Sequence, residues 1–168
     1  MNYTFRPIKP PDHQAIADIF NHYVKEGFAA FFEDPVPVQL VGMLEKMAAG
    51  YPSVAVADES DTCVGFAILH HFRPQPVFLR TAEVTYFIHP QHTRKGLGGE
   101  MLDRLIEEAA GQGIRTILAC IAAPNEASIA FHRKHGFSEC GRFPGVGVKG
   151  GETFDLVWMA RKIQEPGE

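Results

Sequence analysis

His92-Thr93-Arg94-Lys95-Gly96-Leu97-Gly98-Gly99 decides how this chain folds, because it joins a strand-forming stretch to the most strongly patterned helix in the sequence. Glycine lets the backbone come close to a ligand, and the first N–H groups of a helix have no partner within it. The positive end of the helix dipole lies at the same place, so the segment reads as an anion site with Arg94 and Lys95 at its rim. A glycine-rich turn that only starts a helix is the plainer alternative. The segment matches neither the GxxxxGK(S/T) phosphate loop nor the GxGxxG dinucleotide fingerprint, since Gly96-x-Gly98-Gly99 has the wrong spacing.

Downstream, the spacing predicts a helix over Gly96–Ala110, with Leu97, Met101, Leu102, Leu105, Ile106 and Ala109 on one stripe. Glu100 and Arg104 stand outside it at a favourable i,i+4 spacing, and Gly111 and Gly113 end it. A strand over Arg115–Ile121, a short helix over Asn125–His135 and two closing strands, Phe137–Phe143 and Glu152–Met159, complete that side. Upstream, Thr81–Ile88 alternates as a strand and Arg73–Leu79 reads as a loop with two prolines. Ser53–Asp58 and Cys63–His71 form a hairpin about a polar turn. A helix from Asp12, as its cap, to Tyr23 and another over Val38–Ala49 precede them, and Tyr3–Ile8 opens the chain as a strand. The strand-helix-strand unit around the glycine segment demands a parallel pair, whereas the hairpins are antiparallel. A mixed, twisted α/β sheet with helices on both faces follows.

The chain has 168 residues, 45% hydrophobic and 21% charged, which fits one domain with a real core. No apolar run reaches the ~20 residues that span a bilayer, and Met1–Pro7 lacks the pattern of a secretory signal. A net charge of −4 with no basic run argues against nucleic acid as a partner. Cys63, Cys120 and Cys140 form neither a disulfide framework nor a CxxC half-site, which points to a reducing cytoplasm.

The glycine segment resembles the acyl-CoA motif of the GNAT superfamily of N-acetyltransferases, Gln/Arg-x-x-Gly-x-Gly/Ala, running here from Thr93 to Gly98 with Thr93 in place of the leading residue. Asn125, Ser128 and His132-Arg133-Lys134-His135-Gly136-Phe137 are similar to the superfamily's Asn-x-x-Ser/Ala and Tyr-x-x-x-Gly-Phe segment, with His132 at the tyrosine position. Asn21-His22-Tyr23, Glu83, and Val146-Gly147-Val148-Lys149-Gly150 with Asp155 point to the phosphinothricin acetyltransferase-like branch, which acts on amino acids. The resemblance implies a single domain over 1–163 with a loose tail over 164–168. It also implies a central mixed sheet of about seven strands flanked by about four helices. Acetyl-CoA as co-substrate, a small primary amine as acceptor and a cytoplasmic homodimer are implied as well.

Glu83 is a carboxylate in an apolar strand, and partial burial would raise its pKa into the range of a useful base. The resemblance makes it the base that deprotonates the amine; a charge on the solvent face is the alternative. Tyr86, Phe87 and Ile88 stand where relatives splay two strands apart, so their backbone groups would pair with the pantetheine arm. Arg94, Lys95, Gly96, Leu97, Gly98 and Gly99 would hold the pyrophosphate. Asn125 is both a helix cap and a candidate contact to the cofactor arm. His132 could protonate the leaving thiolate or be a partly exposed helix residue. His70-His71 face opposite ways, and His132 with His135 lacks a third ligand, so no metal is expected.

The acceptor is the least defined part. Arg73 could hold a carboxylate or phosphinate, but Gln75 and Leu79 stand where the branch carries further arginines. Phe28, Phe31 and Phe32 form an apolar wall or belong to the core. A non-catalytic acyl-CoA-binding module and a transferase acting on protein N-termini or lysines remain as competing readings.

Overall fold

A computed structural model describes residues 2–164. Seven strands form one sheet in the order β1-β2-β3-β4-β5-β7-β6. They are β1 (Thr4–Arg6), β2 (Ser53–Ala57), β3 (Cys63–His71), β4 (Thr81–Ile88), β5 (Thr116–Ala122), β6 (Ser138–Lys149) and β7 (Glu152–Lys162). The helices are α1 (His13–Lys25), α2 (Gln39–Met47), α3 (Leu97–Gly111) and α4 (Glu126–Lys134). Every neighbouring pair is antiparallel except β4 and β5, which the crossover through α3 makes parallel. The expected tail, 164–168, lies outside the described residues except for Gln164.

Each face of the sheet buries its own helix pair. The stripe of α3 (Leu97, Met101, Leu102, Leu105) packs with Ile129 of α4 against Val54, Leu69, Val84 and Ile117. On the other face, Ile16 and Ile19 of α1 and Val41 of α2 cover Ala55, Phe66 and Ile68. The foot of α1 departs from expectation. Asp12 makes no side-chain cap to that helix. Its carboxylate instead accepts two bonds from the Arg6 guanidinium, at 2.7 and 2.9 Å, and one from the Lys9 N–H at 2.8 Å. Asp12 is nearly fully buried, and the bidentate contact with Arg6 holds its carboxyl below the usual range.

The last hairpin is longer than the sequence patterning indicates. The expected stop at Phe143-Pro144-Gly145 is a bulge, with the register slipping between Phe143 and Gly147, and β6 resumes as far as Lys149. Proline is tolerated there because β6 is the edge strand, where a missing N–H breaks no ladder. The Gly145 N–H donates to Asp155 Oδ1 at 2.9 Å and fixes the bulge.

Candidate active site

Two neighbouring strands part company in the middle of the sheet. β4 and β5 pair only over Thr81–Glu83 and Thr116–Leu118. Beyond that point β4 stays on β3 as far as Ile88, while β5 follows β7 as far as Ala122. The opening holds a cavity of about 410 Å³ lined by residues from both strands, both faces and all four helices or the loops beside them.

At one end the lining reaches Thr93, three residues before the N-cap of α3; Arg94, Lys95, Gly96, Leu97, Gly98 and Gly99 do not themselves line the cavity. Gly96 caps α3 at φ +83°, a left-handed conformation that glycine adopts without a Cβ penalty. No side chain caps this helix, so the N–H groups of its first turn are left for a ligand. Gly98 and Gly99 have a second role. A Cβ on Gly98 would lie 3.3 Å from the Phe131 ring, and one on Gly99 would lie 2.8 Å from the His135 ring. Their smallness therefore also lets α3 sit against α4. The Leu97 side chain is buried in the core, so only its backbone can serve a cofactor. Arg94 is exposed at positive φ, and Lys95 Nζ donates to the Tyr3 hydroxyl at 3.1 Å. Thr93 lines the cavity, but its hydroxyl donates to the Pro90 carbonyl at 2.9 Å.

Glu83 sits where the strands separate, cross-strand from His70, and lines the cavity. It is half-buried. Burial raises its pKa, and the charge of Arg73 opposes that without cancelling it. The carboxylate in turn adds to the effect of burial on Cys120, whose thiol is pushed up to about 12. His70 is held neutral-leaning by burial; its Nδ1 lies 3.1 Å from the His71 carbonyl and its Nε2 3.4 Å from the Thr85 hydroxyl.

Tyr86, Phe87 and Ile88 line the cavity, as do Asn125 and His132. The Asn125 side chain accepts from the Ser128 N–H and so caps α4 while facing the cavity. His132 is only 2% exposed, which overturns the reading of it as a partly exposed helix residue. Its Nδ1 lies 2.7 Å from the Ser128 carbonyl and its Nε2 3.2 Å from the Tyr86 hydroxyl. Burial lowers its pKa and raises that of Tyr86.

The far end is apolar. Phe20, Tyr23, Phe31, Phe32, Leu44 and Met47 form its wall, whereas Phe28 packs on Phe154 away from the cavity. The loop between α1 and α2 that carries Phe31 and Phe32 is tied down at two points. The Asn21 amide bonds both the N–H and the carbonyl of Val36, at 2.8 and 2.9 Å. Lys149 Nζ donates to the Ala30 carbonyl at 2.9 Å. Arg73 is exposed, stacks over Phe72 and does not line the cavity. Sequence reasoning gave no site role to Tyr23, whose hydroxyl donates to the Ile88 carbonyl at 2.7 Å, or to Cys120 and Ser128. Only the Asn21-His22-Tyr23 cluster signalled the first of these. Among the described residues no three His, Cys, Asp or Glu side chains converge on one point, and no helix is long and apolar enough to cross a membrane.

Residues 16–137 match the Acetyltransferase (GNAT) family. The L-amino acid N-acyltransferase MnaT of Escherichia coli is 34% identical over 167 residues, covering 98% of this chain and 96% of the relative. The L-methionine sulfoximine/L-methionine sulfone acetyltransferase of Salmonella typhimurium is 35% identical, with 96% and 95% covered. Among solved structures, the phosphinothricin acetyltransferase of Sinorhizobium meliloti in complex with AcCoA superposes with a TM-score of 0.91 at 28% identity, covering 99% of this chain and 91% of that one.

Proposed function

This chain belongs to the acetyltransferase (GNAT) family, and from that premise we propose that Glu83 is the base by which it acetylates a small primary amine. It is an acetyl-CoA-dependent N-acetyltransferase. The observation that carries the proposal is Glu83 itself, a carboxylate of raised pKa at the point where β4 and β5 separate. The cavity it lines runs from there toward the uncapped end of α3. That end and the open edge of β4 fit the two demands of acetyl-CoA, an anion site and a row of backbone groups for an extended arm. Acetyl-CoA supplies the activated acetyl group. Glu83 takes a proton from the amine on the α1–α2 face, and the backbone N–H groups of the β4 edge face the developing oxyanion.

The acceptor is an amino acid or an analogue of the phosphinothricin or methionine sulfoximine kind, as the relatives' names support. Arg73, whose charge reaches Glu83, meets the carboxylate of the acceptor. The Phe31 and Phe32 wall selects an apolar side chain. The enclosing α1–α2 loop disfavours a protein N-terminus or lysine, and a binding module has no use for Glu83. The edge strand β6 exposes Phe143 and Val148, and Val77 and Leu79 are exposed as well, which fits a homodimer; light scattering giving a monomer mass would sink that point. Three unpaired cysteines fit a reducing cytoplasm, which cell fractionation tests.

A thiol-release assay with acetyl-CoA and a panel of amino acids and simple amines tests the reading. Glu83→Gln should lower kcat by roughly 10²–10⁴-fold with acetyl-CoA affinity retained. An unchanged rate removes Glu83 from the mechanism, and no turnover of any amine by the unaltered enzyme removes the small-amine acceptor.

A further inference from the structure

We infer that His70 is a specificity-determining residue of the acceptor site. Its Nε2 accepts one N–H of the amine while Glu83 accepts the other, so the enzyme takes primary amines and rejects N-methylated ones. The inference rests on the reading that Glu83 meets the amine.

Among the described residues three polar or charged side chains are buried: Asp12, His70 and His132. Asp12 accepts from Arg6 and from the Lys9 N–H, and His132 Nδ1 lies against the Ser128 carbonyl. His70, 8% exposed, stands beside the reacting carboxylate instead. The β3–β4 register sets it directly opposite Glu83, and residues so paired share a face with Cβ atoms about 4.5–5.5 Å apart. Alternation confirms the face: His70 follows Phe66 and Ile68, which pack with Ile16 and Ile19 of α1, and Glu83 goes with Thr85 and Phe87. Imidazole and carboxylate therefore border the same part of the cavity, which both line.

The backbone fixes the hydrogen-bond polarity of the ring. A carbonyl can only accept, so Nδ1, 3.1 Å from the His71 carbonyl, carries the hydrogen. Burial favours the neutral ring, whose Nε2 is then a bare acceptor. Its neighbour is the Thr85 hydroxyl at 3.4 Å, the outer limit of a hydrogen bond, and Thr85 lines the cavity as well. The edge of the ring that carries Nε2 is thus turned away from its own backbone and toward the cavity. Carboxylate and imidazole are two acceptors side by side, and their complement is a nitrogen with two hydrogens.

A primary amine satisfies both and keeps its lone pair for the thioester carbon. As the C–N bond forms, the proton on the Glu83 side passes to the carboxylate, and the C–S bond breaks with its pair on sulfur. The hydrogen on the Nε2 side stays on nitrogen and becomes the single N–H of the product amide. His70 neither gives nor takes a proton. An N-methylated amine has one hydrogen, which Glu83 needs, so its methyl group faces Nε2 and leaves a buried acceptor without a partner.

The probe pair is the amino acid turned over fastest in the thiol-release panel and its N-methyl counterpart, and the readout is the ratio of their kcat/KM values. The unaltered enzyme should favour the primary amine by about 10²-fold or more. Similar turnover of the two probes overturns the inference. His70→Leu keeps a side chain of similar bulk and should narrow the ratio by about tenfold, through loss on the primary amine. Equal losses on both probes mark a packing role and sink the proposal. His70→Gln, whose amide oxygen accepts the same hydrogen, should hold the ratio; a fall as deep as in His70→Leu removes the acceptor role. Thr85→Val should hold it too, and a fall there without one in His70→Leu gives the contact to Thr85. Glu83→Gln keeps an acceptor oxygen, so it should slow both probes and leave the ratio alone. The base assignment and the His70 contact therefore fail independently.

Discussion

The two ends of the cavity are built in opposite ways. The end proposed for the cofactor is local: a strand, a short loop and the first turn of α3 are consecutive in the chain, and the groups it offers are backbone N–H groups. The end proposed for the acceptor is assembled from α1, the α1–α2 loop, α2 and β4, and what it offers is side chains. Its loop is held by contacts from Asn21, 15 residues away, and from Lys149, 119 residues away. A site made of backbone tolerates side-chain change except where a Cβ intrudes. A wall made of side chains can be retuned residue by residue, so the acceptor can vary while the cofactor stays fixed.

The sharpest break in this comparison is pH, because Glu83 sits where the ends meet. Its pKa is raised, so the base form is lost as pH falls through a value above the ordinary carboxylate range. kcat/KM should drop by about tenfold per pH unit below it, while acetyl-CoA affinity at the backbone end stays flat. A flat rate profile breaks the assignment. Next in size, Gly99→Val forces a Cβ against the His135 ring. It should weaken acetyl-CoA binding by about tenfold and lower stability by about 1–3 kcal/mol, with KM for the amine unchanged. Calorimetric titration reads the first and denaturant unfolding the second. The smallest effect belongs to the loop anchors. Asn21→Ala should cost about 1 kcal/mol and raise KM for the amine severalfold, leaving acetyl-CoA affinity alone.

That contrast also explains what the sequence discloses. The helix stripe of α3, the glycine segment and the parallel crossover are legible because they depend on neighbours within a few residues. Glu83 stands out as a charge in an apolar strand. The burial of His132 is not legible, since a helix of nine residues shows no fixed face until Phe137 and Tyr86 close over it. Asp12 looks like a helix cap, and no local pattern shows that Arg6 claims its carboxylate. The run of β6 past Pro144 depends on its edge position, which only the strand order reveals. Arg73 is legible as a cation, but its placement outside the cavity is not.

The parting of β4 from β5 after three residue pairs has a thermodynamic consequence. A ligand that bonds to the open β4 edge binds the native chain and not the unfolded one, so it is linked to folding by mass action. At one hundred times its dissociation constant, acetyl-CoA should add about 2.7 kcal/mol to the unfolding free energy. The gain should be written into amide exchange, with protection rising along residues 84–88 and 119–122 and little changed in β2 or β6.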